Sequence, residues 1–153
     1  MELSKHLFST FFIILLFNSC TSPPLSKEVA ELSKKYNTTI YRDSWGVPHI
    51  YGKTDTDVAF GLAYAHAQDD IKNIELSVMA ARGKMAKYHG KEGIGLDFLV
   101  KLFRLVETVE EKYYEDLSMS VRKVCEAYSE GINYYASLYP NNVTLDLYPI
   151  NGK

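Results

Sequence analysis

From Val58 to Ala67 the sequence leaves a helix almost no polar face. His66 is the one strongly polar residue in that stretch, and five of its ten positions are Gly or Ala. A helix that is apolar nearly all round must be covered on most sides, and small residues let its neighbours come close. Val58, Leu62, Ala65, Asp69 and Asn73 lie along one row at spacings of three and four, while Phe60, Tyr64, Ala67, Ile71, Ile74 and Val78 fill others. Thr54 and Asp57 form a Thr-x-x-Asp start signal ahead of this run. The pattern continues through Glu75, Met79 and Arg82 to Gly90 as C-cap, and Gly83 marks a break or a close approach. Whatever else the chain forms has to be arranged around this helix.

The other segments supply little sheet. Thr38–Tyr41 and His49–Tyr51 read as short strands of a hairpin, with Gly46 and Pro48 shaping the connection and Pro48 confined to a strand start or edge. A second helix is expected from Leu96 to about Leu117, carrying Phe98, Leu99, Leu102, Phe103, Leu105, Val106 and Val109. A third is expected from Ser118 as N-cap, with Val121, Val124, Cys125, Tyr128, Ile132 and Tyr135 as its stripe and Pro140 as its stop. The segment Leu145–Ile150 is apolar without an evident place to pack. One hairpin does not make a stable sheet, so the chain reads as the beginning of something larger.

Composition narrows the classes. Hydrophobic residues are 46% and charged ones 24%, ordinary globular values that exclude disorder. A net charge of −2 offers no basic excess for a phosphate backbone, which argues against a nucleic-acid partner. Twelve Tyr residues point to half-polar rings buried against a large surface.

The amino terminus reads as an address. Lys5 and His6 precede the apolar run Leu7–Phe17, too short to span a bilayer, which needs about 20 residues, and fitting a removable secretory signal over residues 1–19. Leu16-Phe17-Asn18-Ser19-Cys20 resembles a bacterial lipobox, with Cys20 as lipidation site. Residues 20–36 then read as lipobox cysteine and flexible tether, and 37–153 as the globular part. The expected location is outside the cytoplasm, either periplasmic or lipid-anchored to a membrane facing the periplasm. After cleavage Cys125 has no second thiol to pair with below it in the mature core, and it reads as a small buried hydrophobe.

The search for chemistry finds fragments only. His49, His66 and His89 lack the i, i+4 spacing of a helical metal pair. His66 reads as a satisfied core histidine, with Asp69 and Asp70 as candidate partners. Asp69, Asp70 and Glu75 read as solvated carboxylates or partners of Lys72 or Arg82, and Glu107, Glu110, Glu111, Glu115 and Asp116 as a solvated face. Gly90–Gly95 follows a helix rather than a strand, so it reads as a flexible connection and not a phosphate loop. An exposed N-terminal Cys20 could act as a nucleophile with its own α-amino group, but a lipid cap and a Pro-Pro tether argue against it. No catalytic residue and no metal ligand set emerges.

Four stretches in register carry a resemblance. They are Ile40-Tyr41-Arg42-Asp43-Ser44-Trp45-Gly46-Val47-Pro48-His49-Ile50-Tyr51-Gly52, Phe60-Gly61-Leu62-Ala63-Tyr64-Ala65-His66-Ala67-Gln68-Asp69-Asp70, Ala81-Arg82-Gly83-Lys84-Met85-Ala86-Lys87-Tyr88-His89-Gly90, and Glu126-Ala127-Tyr128-Ser129-Glu130-Gly131-Ile132-Asn133. Together they resemble the amino-terminal part of the penicillin acylase family, which includes acyl-homoserine lactone and cyclic-lipopeptide acylases. The third looks more like the lactone and lipopeptide branch.

The resemblance implies an α+β fold: a fragment of a four-layer αββα N-terminal-nucleophile hydrolase, here mostly helical with a short amino-terminal hairpin. It implies a precursor that cuts itself into a small and a large chain, with the large chain of the same precursor as partner. A Ser beginning that large chain would attack an acyl amide, and calcium, where the family binds it, would use residues outside 1–153. None of the nucleophile chemistry maps onto this sequence, so residues 1–153 alone are expected to be inactive. The matched residues Arg42, Asp43, Gly46, Pro48, Gly61, Asp69, Arg82, Gly83, Tyr128, Gly131 and Asn133 then take structural roles. Arg42 is expected to pair with Asp43, Gly61 to permit close helix packing, and Tyr128 and Asn133 to make buried hydrogen bonds. The competing reading is a non-catalytic exported helical lipoprotein that binds a partner.

Overall fold

The computed structural model describes residues 27–153, so the signal segment and Cys20 lie outside the described residues. The order is helix α1 (Lys27–Lys35), strands β1 (Thr38–Arg42) and β2 (Pro48–Gly52), then helices α2 (Asp55–Ala81), α3 (Met85–His89), α4 (Ile94–Leu102), α5 (Leu105–Asp116) and α6 (Met119–Leu138). Short 3₁₀ turns occupy Gly90–Gly93, Pro140–Asn142 and Leu145–Leu147. Part of the stretch read as tether is therefore helix α1, which docks through Lys35 and the Tyr36 hydroxyl on the Glu130 carboxylate, each at 2.8 Å.

The hairpin forms as expected, antiparallel, with Ile40 opposite Ile50 and Arg42 opposite Pro48. Pro48 opens β2, where its missing N–H costs least. Gly46 takes φ 82 in the turn. Thr54 caps α2 in a reciprocal box with Asp57: each side chain accepts the other's backbone N–H. The Asp57 carboxylate also accepts from the N–H of Asn37 at 2.8 Å, which ties the residue before β1 to the start of α2.

Packing centres on α2 against α6. At their crossing Gly131 lies so close to α2 that a Cβ there would strike the Phe60 carbonyl and stand 2.8 Å from the Ala63 side chain. On another face of α2, a Cβ at Gly61 would collide with Thr38 and come within 2.9 Å of Ile50 in the hairpin. The pattern of small residues is thus the geometry of two contacts, one to each neighbouring layer. Ala63 and Ala67 are fully buried, and Ile71, Ile132, Tyr135 and Ile150 complete the core around them.

Several expectations need correcting. The second helix is two: Arg104 adopts a left-handed φ of 51 between α4 and α5 and turns the chain. The long helix ends at Ala81, with Gly83 at φ 60 breaking it and Gly90 at φ 65 ending α3. Asp70 takes non-helical backbone angles inside α2, a kink without a Pro or Gly to announce it. Gly90–Gly95 is a 3₁₀ turn running into α4, fixed by the Asp97 carboxylate, which accepts the N–H groups of Met85 and Ala86 at 2.8 Å. The apolar tail does find a place, since Leu147 and Ile150 are buried against the helices.

Two outcomes check this architecture. Gly131→Ala should lower stability by roughly 1–3 kcal/mol through overpacking, read as a reduced midpoint in urea with an unchanged slope. The Asn37 and Thr54 donors hold the Asp57 carboxyl below the ordinary carboxylate range. Because that folded-state value is depressed, its stabilisation is full above about pH 4, the unfolded value, and is lost progressively as pH falls from there through the lower folded value. Asp57→Asn should therefore lower the melting temperature clearly at pH 7 and much less at pH 3.

Candidate functional site

The polar residues of the matched stretches join α2 to the hairpin on one face and to α6 on another. Arg42, at the end of β1, reaches across to α2. Its guanidinium meets Asp69 at 2.7 Å, donates to the Gly46 carbonyl at 2.8 Å, and touches the Ala65 carbonyl and Gln68 at 3.4 Å. Asp43 turns the other way. It accepts from the N–H groups of Trp45 and Val47 at 2.8 and 3.0 Å and meets His49 at 3.3 Å. Partial desolvation works against its ionisation, yet the donors of Val47, His49 and Trp45 prevail and hold its carboxyl low. Arg42 and Asp43 therefore do not pair. One binds hairpin to helix and the other closes the hairpin turn.

Past their crossing, α2 and α6 enclose a cleft of about 760 Å³ whose walls include Ile74, Val78, Val124 and Ile132. His66 stands on its rim, exposed rather than in the core. Its Nδ1 lies 3.0 Å from the Tyr128 hydroxyl, the rings meeting edge to face. Burial raises the Tyr128 hydroxyl above its usual range. Asp69 and Asp70 do not join His66. Asp69 is taken by Arg42, and Asp70 accepts from the backbone and side chain of Asn73 at the kink. Cys125 is half-buried and lines the same cleft.

Glu75 is the residue that sequence reasoning misplaced most. It is only 3% exposed, and its carboxylate accepts from Lys72 at 3.0 Å, from the Thr144 N–H and hydroxyl, and from the Tyr148 hydroxyl at 3.3 Å. Burial, and then the Glu75 charge, push the Tyr148 hydroxyl far above its usual range. A buried carboxylate is tolerable only when so many donors replace water. The clue lay in the row Ile71, Glu75, Met79, in which both flanking residues are buried. Asn133 makes the second tie to the tail: its side-chain amide donates to the Ile150 carbonyl at 2.8 Å and accepts the Ile150 N–H at 2.9 Å. Arg82 adds a bond to the Asn151 side chain at 3.1 Å, and Gly83 presses against Val100.

These groups hold segments of the chain to one another. The hydroxyls of Ser77 and Ser129, both on the cleft, donate to the carbonyls of Asn73 and Glu126. Among the described residues no group of three or more His, Cys, Asp or Glu is gathered to hold a metal.

Comparison with known proteins places these observations. Residues 37–151 match the family model described as penicillin amidase. The penicillin acylase 2 proenzyme of Pseudomonas sp. (strain SE83) is 31% identical over 113 residues, covering 74% of this chain and 14% of its own length. The acyl-homoserine lactone acylase QuiP of Pseudomonas fluorescens (strain Pf-5) is 28% identical over 127 residues, covering 83% of this chain and 16% of its own. The chain thus spans about a seventh of these curated relatives. A thermostable penicillin G acylase from Alcaligenes faecalis shares the fold with a TM-score of 0.64 at 22% identity, over 76% of this chain and 66% of that one.

Asn133→Ala removes both amide bonds and strands the backbone groups of Ile150. A loss of roughly 1–3 kcal/mol is expected, with faster amide exchange confined to residues 143–151 at low denaturant.

Proposed function

The chain belongs to the penicillin amidase family, and on that premise we propose that it is the amino-terminal part of an acylase that hydrolyses an amide bond and releases an acyl group. The observation that carries this reading is the match over residues 37–151, a stretch in which Arg42 and Asn133 tie hairpin and tail to the helices. The share of its relatives that the chain spans, 14–16%, supports a partner: the large chain of the same precursor, which supplies the nucleophile. In that role the outer face of the hairpin, with Tyr41 and Tyr51 62% exposed and Trp45 90% exposed, lies against the catalytic sheet. The substrate is a small acyl amide of the penicillin, acyl-homoserine lactone or lipopeptide kind, since the relatives bear names of the first two. Where the intact enzyme binds calcium, it does so through residues outside this chain. The protein is exported, free in the periplasm or held to the membrane by a lipid on Cys20.

Mechanistically, this part contributes rigidity. An acyl-transfer site needs its nucleophile and oxyanion donors fixed before reaction. Arg42–Asp69, Glu75 and Asn133 lock hairpin, helices and tail into one scaffold on which a catalytic sheet can be held.

Purified residues 20–153 are expected to release no acyl product from penicillin G or from an acyl-homoserine lactone. The reading frame carried on through the following several hundred bases should give a product that cleaves itself into two chains and hydrolyses one of these substrates. Turnover by residues 20–153 alone would overturn the assignment of the nucleophile to another chain. A continued product with neither processing nor turnover would favour the non-catalytic binding protein.

A further inference from the structure

We propose that the cleft between α5 and the carboxyl end of α2 receives an apolar, carboxylate-bearing segment of the remainder of the acylase precursor; this rests on the reading above. The cleft measures about 600 Å³. Leu105, Val106 and Val109 line one wall, and Ala81 and Pro149 are among the residues of the other side. The three α5 side chains remain 39–46% exposed although they line a recess. Helix α5 is held beside the recess by Glu110, which meets Lys153 at 2.8 Å, and farther along by the buried Tyr113. One face of a helix is thus anchored while three branched apolar side chains beside it stay wet, the state that burial against a partner relieves.

The rim says what kind of partner. Arg82, Lys84 and Lys153 surround the recess against one carboxylate, Glu110, which Lys153 already occupies. Arg82 gives a single bond to Asn151, and Lys84 makes no side-chain bond or ion pair among the described residues. An entering segment is favoured when it carries Asp or Glu beside its apolar residues. A second copy of this chain would bring a rim of the same sign. The remainder of the precursor is on hand: the curated relatives hold some six-sevenths of their length outside the matched region.

The test places a photo-crosslinking residue at Val109 or at Tyr41 in the precursor as expressed in its host, and identifies the adducts by peptide mass. The expected result is a Val109 adduct to an apolar peptide of the remainder that contains Asp or Glu. Lys84→Glu should cut that adduct at least about five-fold, the change a lost charge pair of about 1 kcal/mol gives, while the Tyr41 adduct stays unchanged and reports an intact fold. If the remainder co-purifies and crosslinks at Tyr41 but not at Val109, the cleft inference fails while the acylase reading stands. Val109 adducts only to a second copy or to lipid overturn it as well. Failure of any remainder to associate sinks both.

Discussion

The close crossing of α6 over α2 at Gly131 is the constraint from which the rest of the structure follows. With no side chain at Gly131, the helices approach until Phe60 and Ala63 touch the backbone of α6, and Ala63 and Ala67 are wholly buried. That approach also sets how far apart the helices lie beyond the crossing, where a cleft of about 760 Å³ opens. Gly61 does for the hairpin what Gly131 does for α6, so one helix carries both neighbours. Close packing of this kind leaves little slack, because interiors at crystal-like density pass on any change in volume.

Polar groups then fix what apolar packing leaves free. Two helices pressed together can still slide or rotate, and a two-stranded sheet is marginal by itself. Arg42 binds the end of β1 to Asp69 on α2, Asp57 binds the start of β1 to the α2 cap, and Glu130 holds the end of α1 on α6. Glu75 and Asn133 hold the tail from opposite helices. Each tie joins segments far apart in the chain. Together these ties fix hairpin, helices and tail relative to one another. The penicillin and acyl-homoserine lactone acylases that the chain resembles carry most of their own length outside the matched region.

Two of the exposed apolar regions among the described residues differ in kind. The hairpin offers a flat aromatic face, with Tyr41 beside His49 at 6.2 Å between ring centres. Helices α4 and α5 leave Phe98, Leu102 and Phe103 about 60% exposed on the outside and a recess behind α5. A flat face suits a sheet laid against it, whereas a recess with a basic rim suits an inserted side-chain cluster.

Much of the fold was legible in the residues because its signals are local. The Thr54–Asp57 cap, the turn at Gly46 and Pro48, the break at Gly83 and the Ser118 start of α6 are each decided within a few residues. Arg104 escaped notice because a left-handed Arg has no compositional mark. The partners of Arg42, His66 and Glu75 were illegible for a different reason: a charge chooses among whatever groups the packing brings near it. Asp43 is next to Arg42 in sequence, yet the hairpin turn claims it and leaves Asp69, twenty-seven residues away, for the guanidinium. Sequence by itself determined the elements, their caps and the small residues that permit close contact, since backbone sterics and periodicity act over one or two turns. Tertiary structure alone decided which carboxylates are buried, where the tail lies and where clefts open, because those depend on distances between segments that no local rule specifies.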